Sequence, residues 1–129
     1  MFDWLKKRFA RQPAPEPNPL APWDERLGVL TRRTSELRRS AATLLSLRGE
    51  LERGVLKARQ QASEARRKAE EPAAQRIAVV LAEDAERADK RADELQAELE
   101  RVRIEADGLA ETVRTLEAEA EQLRRERSA

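Results

Sequence analysis

The stretch that decides the fold is residues 78–123, which read AVVLAEDAERADKRADELQAELERVRIEADGLAETVRTLEAEAEQL. Aliphatic residues recur there at alternating spacings of three and four. The heptad a positions are Ala78, Ala85, Ala92, Leu99, Ala106, Val113 and Ala120, and the d positions are Leu81, Ala88, Leu95, Val102, Leu109, Leu116 and Leu123. All fourteen are apolar in a chain that is only 40% apolar. The stretch therefore predicts a long helix that packs against a partner helix.

A second heptad pattern precedes this stretch. Its a and d positions are Leu27, Leu30, Thr34, Leu37, Ala41, Leu44, Arg48, Leu51, Val55, Ala58, Ala62, Ala65 and Ala69. Only Thr34 and Arg48 are not apolar, and we expect Arg48 to influence register or oligomeric state. The two sets of a and d residues together are called the seam. The first helix is predicted to start near Pro22, because proline suits the first helical position.

Pro72 separates the two patterns. Proline cannot donate the helical hydrogen bond, and Ala69 and Ala78 are both a positions although they are nine residues apart. We therefore predict an all-α fold, a long antiparallel helical hairpin (coiled coil) with helices at 23–71 and 72–127 and a turn at 70–74. A single helix kinked at Pro72 is the alternative.

The partner of each seam could be the other seam of the same chain. Residues 24–71 carry a net charge of +4 and residues 72–129 one of −5, which favours pairing of the two helices. The apolar pattern allows two registers, in which the numbers of opposed residues sum to about 143 or about 150. The first places Ala41 opposite Val102 and the second places Val55 opposite Leu95.

Residues 1–12 contain three of the four aromatic side chains and carry a net charge of +3. On a helical wheel the apolar residues share one arc and most cations lie outside it, so the segment predicts a short amphipathic helix at an anionic membrane surface. The predicted membrane-binding residues are Phe2, Trp4, Leu5, Lys6, Lys7, Phe9 and Arg11. Docking on a protein or capping the coiled coil is the alternative. Residues 13–22 hold five of the six prolines and form a Pro-rich linker.

Several apolar residues lie beside or outside the seam. Leu45 and Leu47 widen it in the first helix, and Ile77, Val79 and Val80 surround Leu81. A two-helix hairpin cannot bury a helix that is apolar on every side. We therefore predict self-association through Leu45, Leu47, Ile77, Val79, Val80 and Leu81, with a homo-oligomer as the result.

The composition argues against catalysis. There is no cysteine, histidine or tyrosine, and no pattern of a nucleophile with a base, a phosphate loop or a metal-ligand cluster. We predict no enzymatic activity, no cofactor and no metal. A nucleic-acid partner is not expected, because the arginine pairs lie beside an acidic helix without stacking aromatics. No apolar run suits a transmembrane helix or a secretory signal, which predicts a cytoplasmic protein peripherally associated with the inner face of the membrane.

The order of parts resembles the phage shock protein A family and its plastid vesicle-inducing relative, which are bacterial ESCRT-III-like proteins. The residues that carry the resemblance are Met1 to Phe9, similar to a membrane helix, and Lys57 to Leu81, similar to a hairpin tip. The resemblance implies polymerisation on membranes and a role in membrane maintenance or stress response. The chain differs from the family by its proline linker and by lacking the helices that follow the hairpin. The alternative function is a soluble coiled-coil adaptor or scaffold that binds a protein partner.

Overall fold

A computed structural model describes residues 18–129, and these form two long α-helices joined by a short 3₁₀ helix. Helix α1 spans Ala21–Ala69, the 3₁₀ helix spans Pro72–Ile77 and helix α2 spans Ala78–Ser128. The two α-helices pack against each other as an antiparallel hairpin. The predicted all-α hairpin is confirmed, and the alternative of a single kinked helix is wrong.

Helix α1 begins at a proline-rich turn. The side chain of Asn18 accepts a hydrogen bond from the Leu20 amide at 3.0 Å, and its carbonyl accepts one from the Ala21 amide at 3.1 Å. Pro22 lies in the first helical turn, where its missing N–H is not needed, and Asp24 lies near the positive end of the helix dipole. The helix therefore begins at Ala21, two residues before the predicted start.

The chain reverses between Ala69 and Ala78. Glu71 has extended dihedrals (φ −68°, ψ 133°), because the residue before a proline is sterically excluded from the helical region. Pro72 then begins the 3₁₀ helix, which runs to Ile77. The break falls in the predicted turn, but residues 72–77 are 3₁₀ rather than the α-helix predicted from residue 72 onward.

The seam forms the interface between the helices. Each of its 27 residues is buried or half-buried, and every fully buried residue between 18 and 129 belongs to it. Leu51, Leu99 and Val102 form the centre of the core, with Leu44, Leu47 and Leu95 packed against them. Small residues dominate nearer the turn, where Ala58, Ala62, Ala85 and Ala92 are at most 2% exposed. Alanine at these positions lets the two helices lie close together there.

The register is the second of the two allowed by the apolar pattern. A Cβ atom placed on Gly54 would lie 3.2 Å from Leu95 Cδ1, and Leu51 shares a cluster with Leu99. Both contacts match opposed residue numbers that sum to about 150. The seam continues towards the N-terminus through Leu20 and Trp23, which are half-buried at the next a and d positions.

Candidate interaction surfaces

The predicted membrane segment lies outside the described residues. Its seven membrane-binding residues, Phe2, Trp4, Leu5, Lys6, Lys7, Phe9 and Arg11, precede Asn18, where the description begins. Their predicted role therefore stays a prediction. The structure does show where the linker joins the hairpin, at the open end formed by the start of α1 and the end of α2.

The six predicted self-association residues do not form one surface. Leu47 packs against the central core, and Leu81 is a half-buried seam residue, so both already contribute to the hairpin. Leu45 is 57% exposed but lies 24 residues before the end of α1, about 35 Å from the turn at 1.5 Å per residue. Self-association through any of the six stays a prediction.

The remaining three of these residues form an apolar patch at the turn of the hairpin. Ile77 is 53% exposed, Val79 is 71% exposed and Val80 is 52% exposed. Ile77 ends the 3₁₀ helix, and Val79 and Val80 lie in the first turn of α2. In the observed register these positions lie beyond Ala69, the last residue of α1, so no helix lies opposite them. We call Ile77, Val79 and Val80 the tip patch.

The two long edges of the hairpin differ in charge pairing. On the e edge, which is lined by heptad e positions, Arg59 pairs with Asp93 and Asp24 pairs with Arg127. Three further ion pairs join e positions of the two helices to each other: Arg38 with Glu117, Glu52 with Arg103, and Arg66 with Asp89. The residue numbers in each of these three pairs sum to 155. This is the sum expected for opposed e positions when opposed seam residues sum to about 150. On the opposite g edge, no ion pair joins the helices within residues 18–129. Within residues 18–129, the ion pairs between the two helices therefore lie on the e edge and not on the g edge.

Arg48 is the charged member of the seam, and it is half-buried. Its Nε donates a hydrogen bond to Glu52 Oε1 at 3.1 Å. Glu52 also lies 3.7 Å from Arg103 Nη2, and Arg103 pairs with Glu100 at 2.7 Å. The Arg48 side chain thus lies along the apolar core while its head reaches a carboxylate at the edge, as the aliphatic stem of arginine allows.

A groove lies on the g edge at the open end of the hairpin. Its volume is about 590 Å³, within the range of about 300–1,000 Å³ typical of small-ligand sites. The apolar residues that line it are Val29, Leu30 and Leu123, and the charged ones are Glu25, Arg26, Glu119 and Glu126. Val29 is 56% exposed although it is a large apolar side chain. We call this feature the open-end groove; it is apolar within and acidic at its rim.

Two ion pairs bound the same end of the molecule. Arg127 Nε lies 2.8 Å from Asp24 Oδ1, which joins the last turn of α2 to the first turn of α1. Arg38 and Glu117 pair on the same e edge, about four turns further along α1. The two helix ends are therefore held together beside the groove.

The described residues contain little that could perform chemistry. A hydrogen bond to the Asp89 carboxylate, and then its charge, raise the pKa of Arg66 above its ordinary value, but a guanidinium is charged at any physiological pH. No cluster of three or more potential metal ligands occurs within residues 18–129. Neither α1 nor α2 has a stretch apolar enough to cross a membrane. The exposed apolar surfaces described above are the tip patch and the open-end groove.

The chain matches no protein-family model, no curated protein and no solved structure.

Three exposed apolar residues were not among the predicted sites. Val29 lines the open-end groove, while Leu56 and Ile104, which are 59% and 71% exposed, lie singly on the outer sides of the helices. A helical wheel of α1 places Val29 at a c position, on the outer side of the g edge. Its place in a groove depends on how α2 packs, which the pattern of one helix does not reveal.

Proposed function

We propose that the protein is a non-enzymatic coiled-coil protein that self-associates and binds the cytoplasmic surface of the membrane through residues 1–12. The hairpin would act as a rigid spacer of about 75 Å, at 1.5 Å per residue over the 51 residues of α2. A role in membrane maintenance or stress response rests only on the resemblance to the phage shock protein A family.

The observation that carries this proposal is the sequence of residues 1–12. Phe2, Trp4 and Phe9 are three of the four aromatic residues in the chain, and the same twelve residues contain four cations. Aromatic rings and leucine favour the depth of the lipid headgroups, and cations favour anionic lipids.

Self-association would strengthen a weak membrane contact. Burying one ring contributes roughly 1.5–3 kcal/mol and each cation near anionic lipid about 1 kcal/mol, while ordering each residue costs about 1–2 kcal/mol. Gains and costs are therefore similar for a single segment. Several copies held in one oligomer would bind far more firmly, because the later contacts become intramolecular.

The test is vesicle sedimentation of the double variant Trp4→Ala/Phe9→Ala. We expect it to lose binding to vesicles that contain phosphatidylglycerol while its helical content by circular dichroism stays unchanged. The matched control is Leu56→Ala/Ile104→Ala, which removes two exposed apolar side chains from the hairpin surface. Equal loss in both double variants would contradict a specific role for residues 1–12.

A second candidate function, a soluble adaptor that binds a protein partner, is favoured by the tip patch. Ile77, Val79 and Val80 expose apolar surface at one end of the hairpin, remote from the start of α1. In the adaptor, Val79→Glu/Val80→Glu would abolish partner binding and leave vesicle binding unaffected. In the membrane-bound oligomer the same change would lower the sedimentation coefficient of the protein in the absence of any partner.

A further inference from the structure

We propose that, away from a membrane, residues 1–12 of the chain dock in the open-end groove of their own hairpin. This inference rests on the proposed function, because it makes the membrane-binding side chains the occupant of the groove. Docking would hide those side chains until an anionic membrane competes for them. It is a regulatory contact within one chain.

The groove and the segment are complementary in character. Inside the groove Val29, Leu30 and Leu123 present apolar surface, and Val29 is 56% exposed. The segment supplies apolar rings, and the volume of about 590 Å³ suits one or two large side chains rather than all of them. Burial of a ring against an aliphatic floor is favourable because it removes apolar surface from water.

Charge favours the same pairing. Three carboxylates at the rim, Glu25, Glu119 and Glu126, face a single cation, Arg26. Residues 1–12 carry four cations and one carboxylate. Oppositely charged surfaces select partner and orientation more than they add affinity, so these charges would decide which segment binds.

The length of the linker permits the contact within one chain. Residues 13–17 span at most about 18 Å, at about 3.6 Å per residue. The groove lies beside residues 25–30, about 6–14 Å along the helix axis from Ala21 at 1.5 Å per residue. The turn at Asn18, where the side chain accepts a hydrogen bond from Leu20, begins at the same end of the hairpin. The tip patch, by contrast, is more than about 70 Å away and out of reach.

Docking and membrane binding exclude each other, because a ring cannot lie in the groove and in lipid at once. The apparent affinity for vesicles is then reduced by the fraction of chains whose segment is free. Chains that are docked about two-thirds of the time would bind vesicles about threefold more weakly than chains that cannot dock.

The test uses the full chain with Trp23→Phe, so that Trp4 is the one remaining tryptophan. The groove variant adds Val29→Glu, Glu119→Lys and Glu126→Lys; none of these residues is buried. The matched control adds Leu56→Glu, Glu98→Lys and Glu105→Lys, which change the net charge equally and lie outside the groove and the tip patch. Trp4 emission is recorded without vesicles, and binding is titrated with phosphatidylglycerol vesicles.

We expect Trp4 emission at shorter wavelength in the Trp23→Phe chain and in the control than in a free peptide of residues 1–12. In the groove variant it should shift to the wavelength of the peptide, and vesicle affinity should rise at least about threefold above that of the control. Emission equal to the peptide's in every protein would overturn the docking proposal. A blue shift that disappears on dilution would overturn docking within one chain, since the occupant would then come from a second copy.

The experiment distinguishes failure of the docking proposal from failure of the proposed membrane binding. If the groove variant releases Trp4 but no protein binds vesicles, docking is supported and the membrane function is wrong. If all proteins bind vesicles with equal affinity and Trp4 is solvated throughout, the membrane function stands and docking is wrong.

Discussion

Arg38 on α1 and Glu117 on α2, which are 79 residues apart in sequence, form an ion pair across the e edge of the hairpin. The pair exists only in the observed register. In the other register that the apolar pattern allows, Arg38 would lie opposite Ala110, an uncharged residue. The pair is therefore a direct probe of how the helices are aligned.

Exchange of these two charges tests the register. We expect Arg38→Glu to lower the free energy of unfolding, and Arg38→Glu/Glu117→Arg to recover about 0.2–1 kcal/mol of the loss, the usual coupling of an exposed pair. Thermal melting of the two single variants and the double variant gives the coupling energy. Arg39→Glu, at the neighbouring outward position, is the control. Zero coupling between residues 38 and 117 would contradict the observed register.

Arg48→Leu should raise the melting temperature. Leucine at this seam position would bury apolar surface beside the core, and the lost contact with Glu52 is a partly exposed pair that contributes about 1 kcal/mol or less. Glu52 would keep Arg103 as its partner. We expect an increase of about 2–8 °C with a broader distribution of oligomers in analytical ultracentrifugation. The control is Arg53→Leu on the outward side, and a fall in the melting temperature of the Arg48 variant would show that its ion pair dominates.

Two glycines in the helices should respond differently to alanine. Gly108 has open space where a Cβ would lie, so Gly108→Ala should stabilise the hairpin by about 0.5–1 kcal/mol through helix propensity. At Gly54 the new Cβ would lie 3.2 Å from Leu95 Cδ1, so Gly54→Ala should gain less or lose stability. Chemical denaturation of both variants measures the difference. A larger gain at residue 54 than at residue 108 would contradict the close packing of α1 on α2 at this point.

Lys6→Glu/Lys7→Glu should remove the preference for anionic lipid. The change reverses two of the four cations in residues 1–12, each of which is expected to add about 1 kcal/mol near an anionic surface. Binding is compared on phosphatidylglycerol and phosphatidylcholine vesicles at low and high salt. The control is Lys57→Glu/Lys68→Glu, which changes the net charge equally on the hairpin. Unaltered lipid preference in the Lys6/Lys7 variant would mean that these cations do not face the membrane.

The fold was predictable because the seam repeats without interruption and Pro72 coincides with its phase change. The apolar pattern did not decide the register, because alanine and leucine alternate in a way that suits opposed residue numbers summing to either about 143 or about 150. Charges at the e positions distinguish the two registers. In the observed register Arg38 faces Glu117, Glu52 faces Arg103 and Arg66 faces Asp89, and each of these pairs is opposite in sign. Matching charges at the edges as well as apolar residues in the seam would have selected it.

The surfaces were less predictable than the core. Ile77, Val79 and Val80 were expected to be uncovered and are exposed. Leu47 was predicted to widen the seam and to take part in self-association; it packs on the core because its g position lies beside Leu51 and Leu99. The open-end groove combines residues about 90 positions apart, such as Val29 and Glu119, so it depends on the register that the apolar pattern left undecided.

The most direct test of the central claim compares vesicle binding by the full chain and by residues 13–129, which retain the whole described hairpin. The vesicles contain increasing fractions of phosphatidylglycerol in phosphatidylcholine, and both proteins are compared at the same high concentration, at which the proposed self-association would strengthen binding. The account predicts that the full chain binds, that binding increases with the anionic fraction, and that residues 13–129 stay in the supernatant. Failure of the full chain to bind, or equal binding by both proteins, would contradict it.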